Sequence, residues 1–455
     1  MSVAALLAEL GDIPATTEPA LVRQKSRDFF WYSPVLKRQL NRCTAEAVLM
    51  PRSEGEVIAA LAACVRHRVP VTPRGAGTGN YGQAMPLKGG VVLDLSALDQ
   101  LLWAKPGAAR AQCGMKLCDL DDAVRAQSGQ ELRFHPSTRR TATVGGFVAG
   151  GSSGIGSLTW GTLSEPGNVL GLCVLTMEET PRVLELRGAE IAKANHAYGT
   201  NGIISEVEIA LAPANDWVDV LLAFPDLGAA ARFADAFARS GLGKKLACVL
   251  APGIVQTWFT PHAGRLATGE AAALVMVAQA DYAALAALRA AHGGRIAHRE
   301  MTEDAATPLY EFSWNHTTLW ALKRDRSITY LQTLFPAPDH VARALAMAER
   351  FGEELPLHLE FVRLGGQVCC FGLQLVRFTT EARLSEIIAI HEEEGCPVFN
   401  PHALTLEEGG MKQVDHAQLA FKREADPHGL LNPGKMLAWD DPTWQPAART
   451  HLFRA

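Results

Sequence analysis

Two glycine-rich stretches in the first half of the chain carry residue types suited to gripping an anion through the main chain. The first is residues 69–86, VPVTPRGAGTGNYGQAMP, where a strand-like run feeds straight into Arg74, Gly75, Ala76, Gly77, Thr78, Gly79 and Asn80. Without a Cβ, the N–H groups of such a run can turn to one side and approach a phosphate closely. Thr78 and Asn80 add a hydroxyl and an amide. Residues 77–82 also spell G-x-G-x-x-G, but the nicotinamide-type fingerprint needs a helix opening at its third glycine. Here Pro86 and the pair Gly89, Gly90 follow, and they work against a long helix. The loop reads as a nucleotide-binding turn of another kind, with Arg74 either a strut within it or a phosphate ligand. The second stretch, residues 135–161, is dense in Gly, Ser and Thr. It is longer than a turn needs, long loops in compact domains usually serve function, and its small residues let a flat ring lie against the backbone.

Two later segments set a histidine beside an asparagine among aromatics. One has Asn315 and His316 between Trp314 and Trp320, followed by Lys323 and Arg324. The other has Phe399, Asn400 and His402, leading to Glu407, Glu408, Gly409, Gly410 and Lys412. Imidazole is the usual general acid–base group near neutral pH. His402, His316, Asn400 and Lys323 are therefore the candidate catalytic residues, each histidine set against a structural role. Lys323, Arg324 and Arg363 are candidates to bind a substrate carboxylate. Trp314 and Trp320 read as core or pocket walls, and His262, His292 and His340 as surface residues.

The elements that must position these groups follow from periodicity. A chain of 455 residues predicts two or three domains at roughly 100–200 residues each. Residues 45–215 alternate short apolar strands with helices, for example a helix over 54–67 with Val57, Leu61, Cys64 and Val65 on one face. Beyond Pro213 the order becomes strand–helix–strand–helix, which predicts antiparallel strands covered by helices over 216–420. Residues 426–436, DPHGLLNPGKM, read as a Pro/Gly-punctuated turn structure. A net charge of -5 gives no electrostatic reason for a nucleic-acid partner. The nine cysteines form no C-x-x-C pair and read as reduced, mostly buried thiols of a cytoplasmic protein. The N-terminus lacks a basic n-region and no apolar run is long enough to span a membrane, so neither a signal peptide nor a span is expected.

Four ordered motifs resemble the vanillyl-alcohol-oxidase/p-cresol-methylhydroxylase family of FAD enzymes. They are PRGAGTGNYG at 73–82, PSTRRTATVGGFVA at 136–149, GTNGII at 199–204 and DPHGLLNPGK at 426–435. The nearest branch is that of the glycolate oxidases and D-lactate dehydrogenases. The resemblance implies an α+β chain: a two-subdomain FAD-binding domain of the p-cresol-methylhydroxylase type (1–215, divided near 110), an α/β cap with an antiparallel sheet (216–420), and a tail (421–455) returning to the first domain. It carries pyrophosphate contacts onto Gly75, Ala76, Gly77, Thr78 and Gly79, with Arg74 and Asn80 in the same loop. Further FAD contacts fall on Pro136, Ser137, Thr143, Gly145, Gly146, Ala149, Ser153 and Ile204, with Asn432 and Lys435 near the flavin.

The implied activity is oxidation of a hydroxyl-bearing small molecule by hydride transfer to flavin N5. A 2-hydroxy acid leads, with an aromatic or sugar alcohol, or a flavin subunit of an electron-transfer complex, as alternatives. The electron acceptor is left open and a homo-oligomer is possible. Some relatives attach FAD through a histidine near the first loop; Thr78 stands nearest that place here, so the FAD is expected to be non-covalent. The branch's paired metal-binding histidines are missing. No metal is expected, although His358 and Glu360 could ligate one if both lie on one strand face.

Overall fold

The computed structural model describes residues 2–412 and 414–446. Its first sheet runs, edge to edge, Ala15–Thr16, Ala47–Leu49, Val91–Asp94, Val71–Arg74, and its last three strands are parallel. Val91, Val92 and Leu93 are fully buried, the continuous apolar run that a strand covered on both faces requires. The helix Glu54–His67 makes the crossover. Ser53 Oγ caps it by accepting from the Glu56 N–H, acids occupy its first turn and Arg66 and His67 its last, and Val57, Leu61 and Val65 face the core. Strand Val71–Arg74 therefore delivers the first glycine loop at the carboxyl end of a parallel sheet, where crevices form.

The second sheet is antiparallel, in the order Leu101–Lys105, Ala108–Gln112, Ile203–Pro213, Val169–Leu175, Val183–Leu186, with Gln130–Leu132 also on Ile203–Pro213. Its first hairpin starts at Leu101, so the change of sheet falls before the 110 boundary expected above. That hairpin is fixed by pairing of Ala108–Gln112 with residues 206–210, a partner far along the chain that local periodicity does not show.

The third sheet has seven strands, in the order Arg295–Met301, Trp217–Phe224, Ala271–Ala278, Lys244–Leu250, His358–Leu364, Gln367–Gly372, Thr333–Phe335. Every pairing given for it is antiparallel. Its two faces are sorted by the period-2 rule. Along one strand Ala273, Val275 and Val277 pack under the helices with Phe233 and Phe237, while Leu274 and Met276 join an aromatic cluster containing Phe312, Trp314 and Tyr330. Tyr32, Tyr81 and Ile155 of the first half belong to that same cluster. The aromatic face is thus where the third sheet meets the glycine loops.

The tail closes back on the first sheet. Val71 N–H donates to Leu430 O at 2.8 Å and Asn432 N–H to Val71 O at 2.8 Å. Asp426 makes that turn by accepting from the N–H groups of Leu430 and Leu431 and pairing with Lys422 at 2.5 Å. The last residues of the expected tail, 447–455, lie outside the described residues. The helix His416–Ala425 belongs to the return as well, so the return begins before 421.

Three expectations change. The second glycine stretch holds a helix, Val144–Gly150, capped by Thr143 Oγ1 at 3.2 Å from the Gly146 N–H. Glycine lowers helix propensity, and burial of Val144, Phe147 and Val148 overrides it. Strands Lys244–Leu250 and Arg295–Met301 complete the third sheet where the sequence showed only an apolar run and a polar one. His262 and His340 are buried: His340 Nε2 meets Asp235 at 2.9 Å, and His262 sits against Phe312 and His298. All nine cysteines are free thiols. No helix among the described residues is long and apolar enough to cross a membrane.

Candidate functional site

A cleft runs between the two glycine stretches and the aromatic face of the third sheet. One wall is main chain. Residues 74–80 line it, and among the described residues nothing accepts a hydrogen bond from the N–H groups of Gly75, Ala76, Gly77, Thr78 or Gly79. These residues are half-buried, and a run of main-chain donors left without protein partners along one cleft is a cradle for an anion. At two of its glycines this wall cannot carry a side chain. A Cβ on Gly75 would collide with Thr143 Oγ1 of the second stretch, and Gly77 has φ 69°.

Side chains behind this wall fix its shape. Arg74 donates to Arg27 O at 2.5 Å and to Ala76 O at 3.1 Å, the strut of the two readings above. Lys435 is fully buried and donates to Gly82 O at 2.6 Å. Asn432, at φ 40°, donates to Gln83 O at 2.7 Å and Tyr198 O at 2.8 Å. Burial pushes Lys435 down to about 8 and Asp28 nearby up to about 6. Asn432 and Lys435 thus brace carbonyls of the loop, and neither lines the cleft.

The second stretch supplies the floor. Pro136, Ser137, Thr143, Gly145, Gly146, Ala149 and Ser153 all line the cleft, with Ile204 beside them. Ser153 Oγ is buried and unpartnered.

Across from these, the helix Asn315–Leu322 points its N-terminal end into the cleft and brings Trp314, Asn315, His316 and Leu319 to the lining. Trp314 Nε1 and Asn315 Oδ1 are buried without partners. Burial, with Lys323 nearby, pushes His316 down to about 4, so its imidazole is neutral at physiological pH.

The other three catalytic candidates stand elsewhere. His402 has both ring nitrogens engaged, Nδ1 with Ser33 Oγ at 2.8 Å and Nε2 with Tyr330 O at 3.0 Å, and burial pushes it down to about 4. Asn400 Oδ1 accepts the His402 N–H at 3.0 Å. Lys323 is exposed and lies 4.0 Å over the Trp320 ring. Arg324 reaches Thr260 and Arg363 reaches carbonyls of Gly366 and Ala238. None of these residues lines the cleft.

Sequence reasoning missed Phe29, Tyr32, Tyr81, Gln83, Gln332 and Met411, which also line it. Tyr81 OH donates to Gln332 Oε1, Asn80 Nδ2 donates to Tyr330 OH at 2.7 Å, and Gln83 Nε2 donates to Gly150 O at 3.2 Å. Tyr81 and Gln83 sit in or beside the first motif and were open to notice; Gln332 and Met411 carry no local signal. His358 and Glu360 do share one strand face and meet at 2.7 Å, with Cys248 joining from the next strand. They lie beneath the lining.

The observed donors and spaces fit a dinucleotide: free amides for a diphosphate, a glycine floor for a flat ring, and unpartnered polar atoms where that ring and a substrate would end. Residues 45–184 match the FAD binding domain family. Over 438 residues the chain is 25% identical to the glycolate oxidase subunit GlcD of Bacillus subtilis, covering 87% of this chain and 89% of that protein. The GlcD subunit of Escherichia coli is 32% identical over 184 residues, which span 39% of this chain and 36% of that protein. A D-lactate dehydrogenase of Anaerostipes hadrus is 30% identical over 37% of this chain and 37% of that protein. Among solved structures, alkyldihydroxyacetonephosphate synthase superposes with a TM-score of 0.71 at 14% identity, over 96% of this chain and 86% of that one, and shares the fold. Residues 45–184 accordingly form an FAD binding domain, and the chain, which is similar to FAD-linked oxidases along most of its length, is an FAD-dependent oxidoreductase.

Proposed function

We propose that this chain oxidises a hydroxyl-bearing small molecule in the cleft, with the amides of residues 75–79 holding the FAD diphosphate and His316 taking the hydroxyl proton. Bound FAD supplies the hydride acceptor, flavin N5. Pro136, Ser137, Thr143, Gly145, Gly146, Ala149, Ser153 and Ile204 surround the rest of the cofactor, and the part built on the seven-stranded sheet acts as the cap. The observation that carries the reading is the opposition of the two walls: unpaired amides on one side, a neutral, half-buried imidazole lining the cleft beside an unpartnered amide oxygen on the other. As the alkoxide forms, His316 accepts the proton and the Asn315 amide orients the substrate's polar end. The aromatic rings of Tyr32, Tyr81 and Trp314 exclude water from the exchange.

A 2-hydroxy acid is the first substrate class to try, since curated relatives are named for glycolate and D-lactate. A second class, an uncharged aromatic or apolar alcohol, is favoured by the lining itself. Lys323, Arg324 and Arg363 stand outside the cleft, Arg74 is engaged by carbonyls, and Phe29, Leu319, Leu373 and Met411 line the walls. Anaerobic mixing with glycolate, D-lactate, and benzyl and aliphatic alcohols decides between them through bleaching at about 450 nm, a usual flavin band. If no member of either class bleaches the protein, the reaction class is wrong. Thr78 at the attachment position supports non-covalent FAD. Acid precipitation is expected to release all the flavin to the supernatant, and a yellow pellet would refute this.

A further inference from the structure

We infer that Glu360, together with His358, is a positioning residue that holds the main chain of Trp314 so that Asn315 and His316 face the cleft. This rests on the reading of His316 as the base, although the contact itself does not.

Trp314 has φ 49° and ψ −140°, a region residues with a Cβ rarely occupy, and such a conformation persists only where its surroundings over-determine it. The surroundings here are the packed aromatic cluster, where the Trp314 ring meets Phe371, the Thr317 N–H on its carbonyl, and one carboxylate on its N–H. Trp314 N–H donates to Glu360 Oε1 at 2.6 Å inside the protein. Glu360 is 1% exposed and His358 is fully buried. A carbonyl only accepts, so His358 Nδ1 carries the proton it gives to Leu373 O at 3.2 Å. Its Nε2 then faces Glu360 Oε1 at 2.7 Å, and that contact holds one further proton.

The pair therefore ties two parts of the cleft wall, Trp314 and Leu373, to the middle of the seven-stranded sheet. The helix follows directly: Thr317 N–H donates to Trp314 O and His316 N–H to Ser313 O, each at 3.1 Å. Rotation at Trp314 would swing Asn315 and His316 as one body. Cys248 lies opposite Glu360 in the adjacent strand, and Cys248, His358 and Glu360 have ligand atoms within 4.8 Å of one another. A metal centre is thus the rival account of the same cluster. The hydrogen bonds favour the buttress, because Glu360 Oε1 is already engaged by both Trp314 and His358.

Glu360→Gln keeps an acceptor for Trp314 N–H and offers a donor to His358 Nε2, whereas Glu360→Met is close in size and offers neither. On flavin-loaded protein, two quantities are read: the diethyl pyrocarbonate modification rate of His316, by peptide mass spectrometry, and kcat with whichever alcohol bleaches the flavin. Glu360→Gln is expected within about threefold of the parent on both. Glu360→Met is expected to change the His316 rate about tenfold and to lower kcat about 100-fold with little change in KM, the scale of a small misplacement of a reacting group. Should Glu360→Met fail to fold, His358→Gln, which cuts the tie to Leu373 alone, is expected to change the His316 rate about threefold. An unchanged His316 rate in the folded variants overturns the proposal. So does about one equivalent of divalent metal in the purified protein that disappears in Cys248→Ser. Altered His316 labelling with unaltered turnover upholds Glu360 as the buttress and removes His316 as the base.

Discussion

Between residues 75 and 79 the cleft presents main-chain amides, whereas across it Trp314, Asn315 and His316 present side chains from the start of a helix. The first wall is made rigid by what its residues lack. Gly75 packs against Thr143 with no room for a methyl group, and the braces behind it, Lys435, Asn432 and Arg74, all grip carbonyls. The second wall has a main chain in a rarely populated conformation, packed in the aromatic cluster and met from below by a buried carboxylate. A wall of amides recognises what any FAD shares with any other; a wall of side chains distinguishes one substrate from the next. The wall of amides is therefore expected to be intolerant of added bulk and the wall of side chains intolerant of displacement.

The largest break in this contrast is Gly75→Val. The new side chain drives the two glycine stretches apart, and the protein is expected to purify colourless, with FAD affinity down by more than about 100-fold, roughly the loss of two good charge-assisted bonds. Flavin-to-protein absorbance on reconstitution measures it. If flavin is retained in full, the diphosphate lies elsewhere.

Next in size is His316→Ala, for which kcat is expected to fall between about 100- and 10,000-fold, the usual worth of a general base, with flavin content unchanged. Because burial holds His316 at about 4, kcat/KM in the parent should be level above pH about 5 and decline only below it. An acid limb with a midpoint above 6 would point to a different base.

A smaller effect separates His402 from His316. Burial sets the folded pKa of His402 at about 4, below the ordinary histidine value. Between those values the unfolded chain binds the proton and the folded chain does not, so stability rises with pH across that window and is lost as pH falls through it. His402→Gln removes one such group. Urea titrations at pH 6.5 and 4.5 should show the acid-side slope reduced by no more than about 1.4 kcal/mol per pH unit, with kcat at pH 7.5 altered far less than in His316→Ala. A variant that folds fully yet has lost its turnover would return His402 to the site.

The smallest expected effect is Lys323→Ala, whose ammonium lies over Trp320 at the surface. Turnover is expected to change less than about threefold, consistent with a screened charge. A large rise in KM confined to 2-hydroxy acids would place Lys323 at a carboxylate after all.

How much could be read in advance differs between the two walls for the same reason. The residues at 74–80 and 136–153 that the sequence singled out line the cleft, because a backbone cradle needs particular residue types at consecutive positions. Asn432 and Lys435 were also noticed, and they donate to carbonyls of residues 82, 83 and 198. In the cap, His316 and His402 look alike in sequence, each beside an asparagine and an aromatic. What separates them is the partners of His402, Ser33 and Tyr330, contributed by distant parts of the chain. Gln332 and Met411 reach the lining in the same way, from segments with no local signature.

The order of residues by itself determined the strand that launches the first loop, the glycines that keep its amides bare, and the helix-on-sheet character of the second half. These are consequences of steric freedom and of hydrophobic period, which act over a few neighbours. Tertiary structure alone decided which histidine meets the cleft, which cations are kept out of it, and that a buried glutamate sits under Trp314. Those depend on hydrogen-bond partners and burial brought together from strands far apart in the chain, and such quantities do not exist until the sheet has closed.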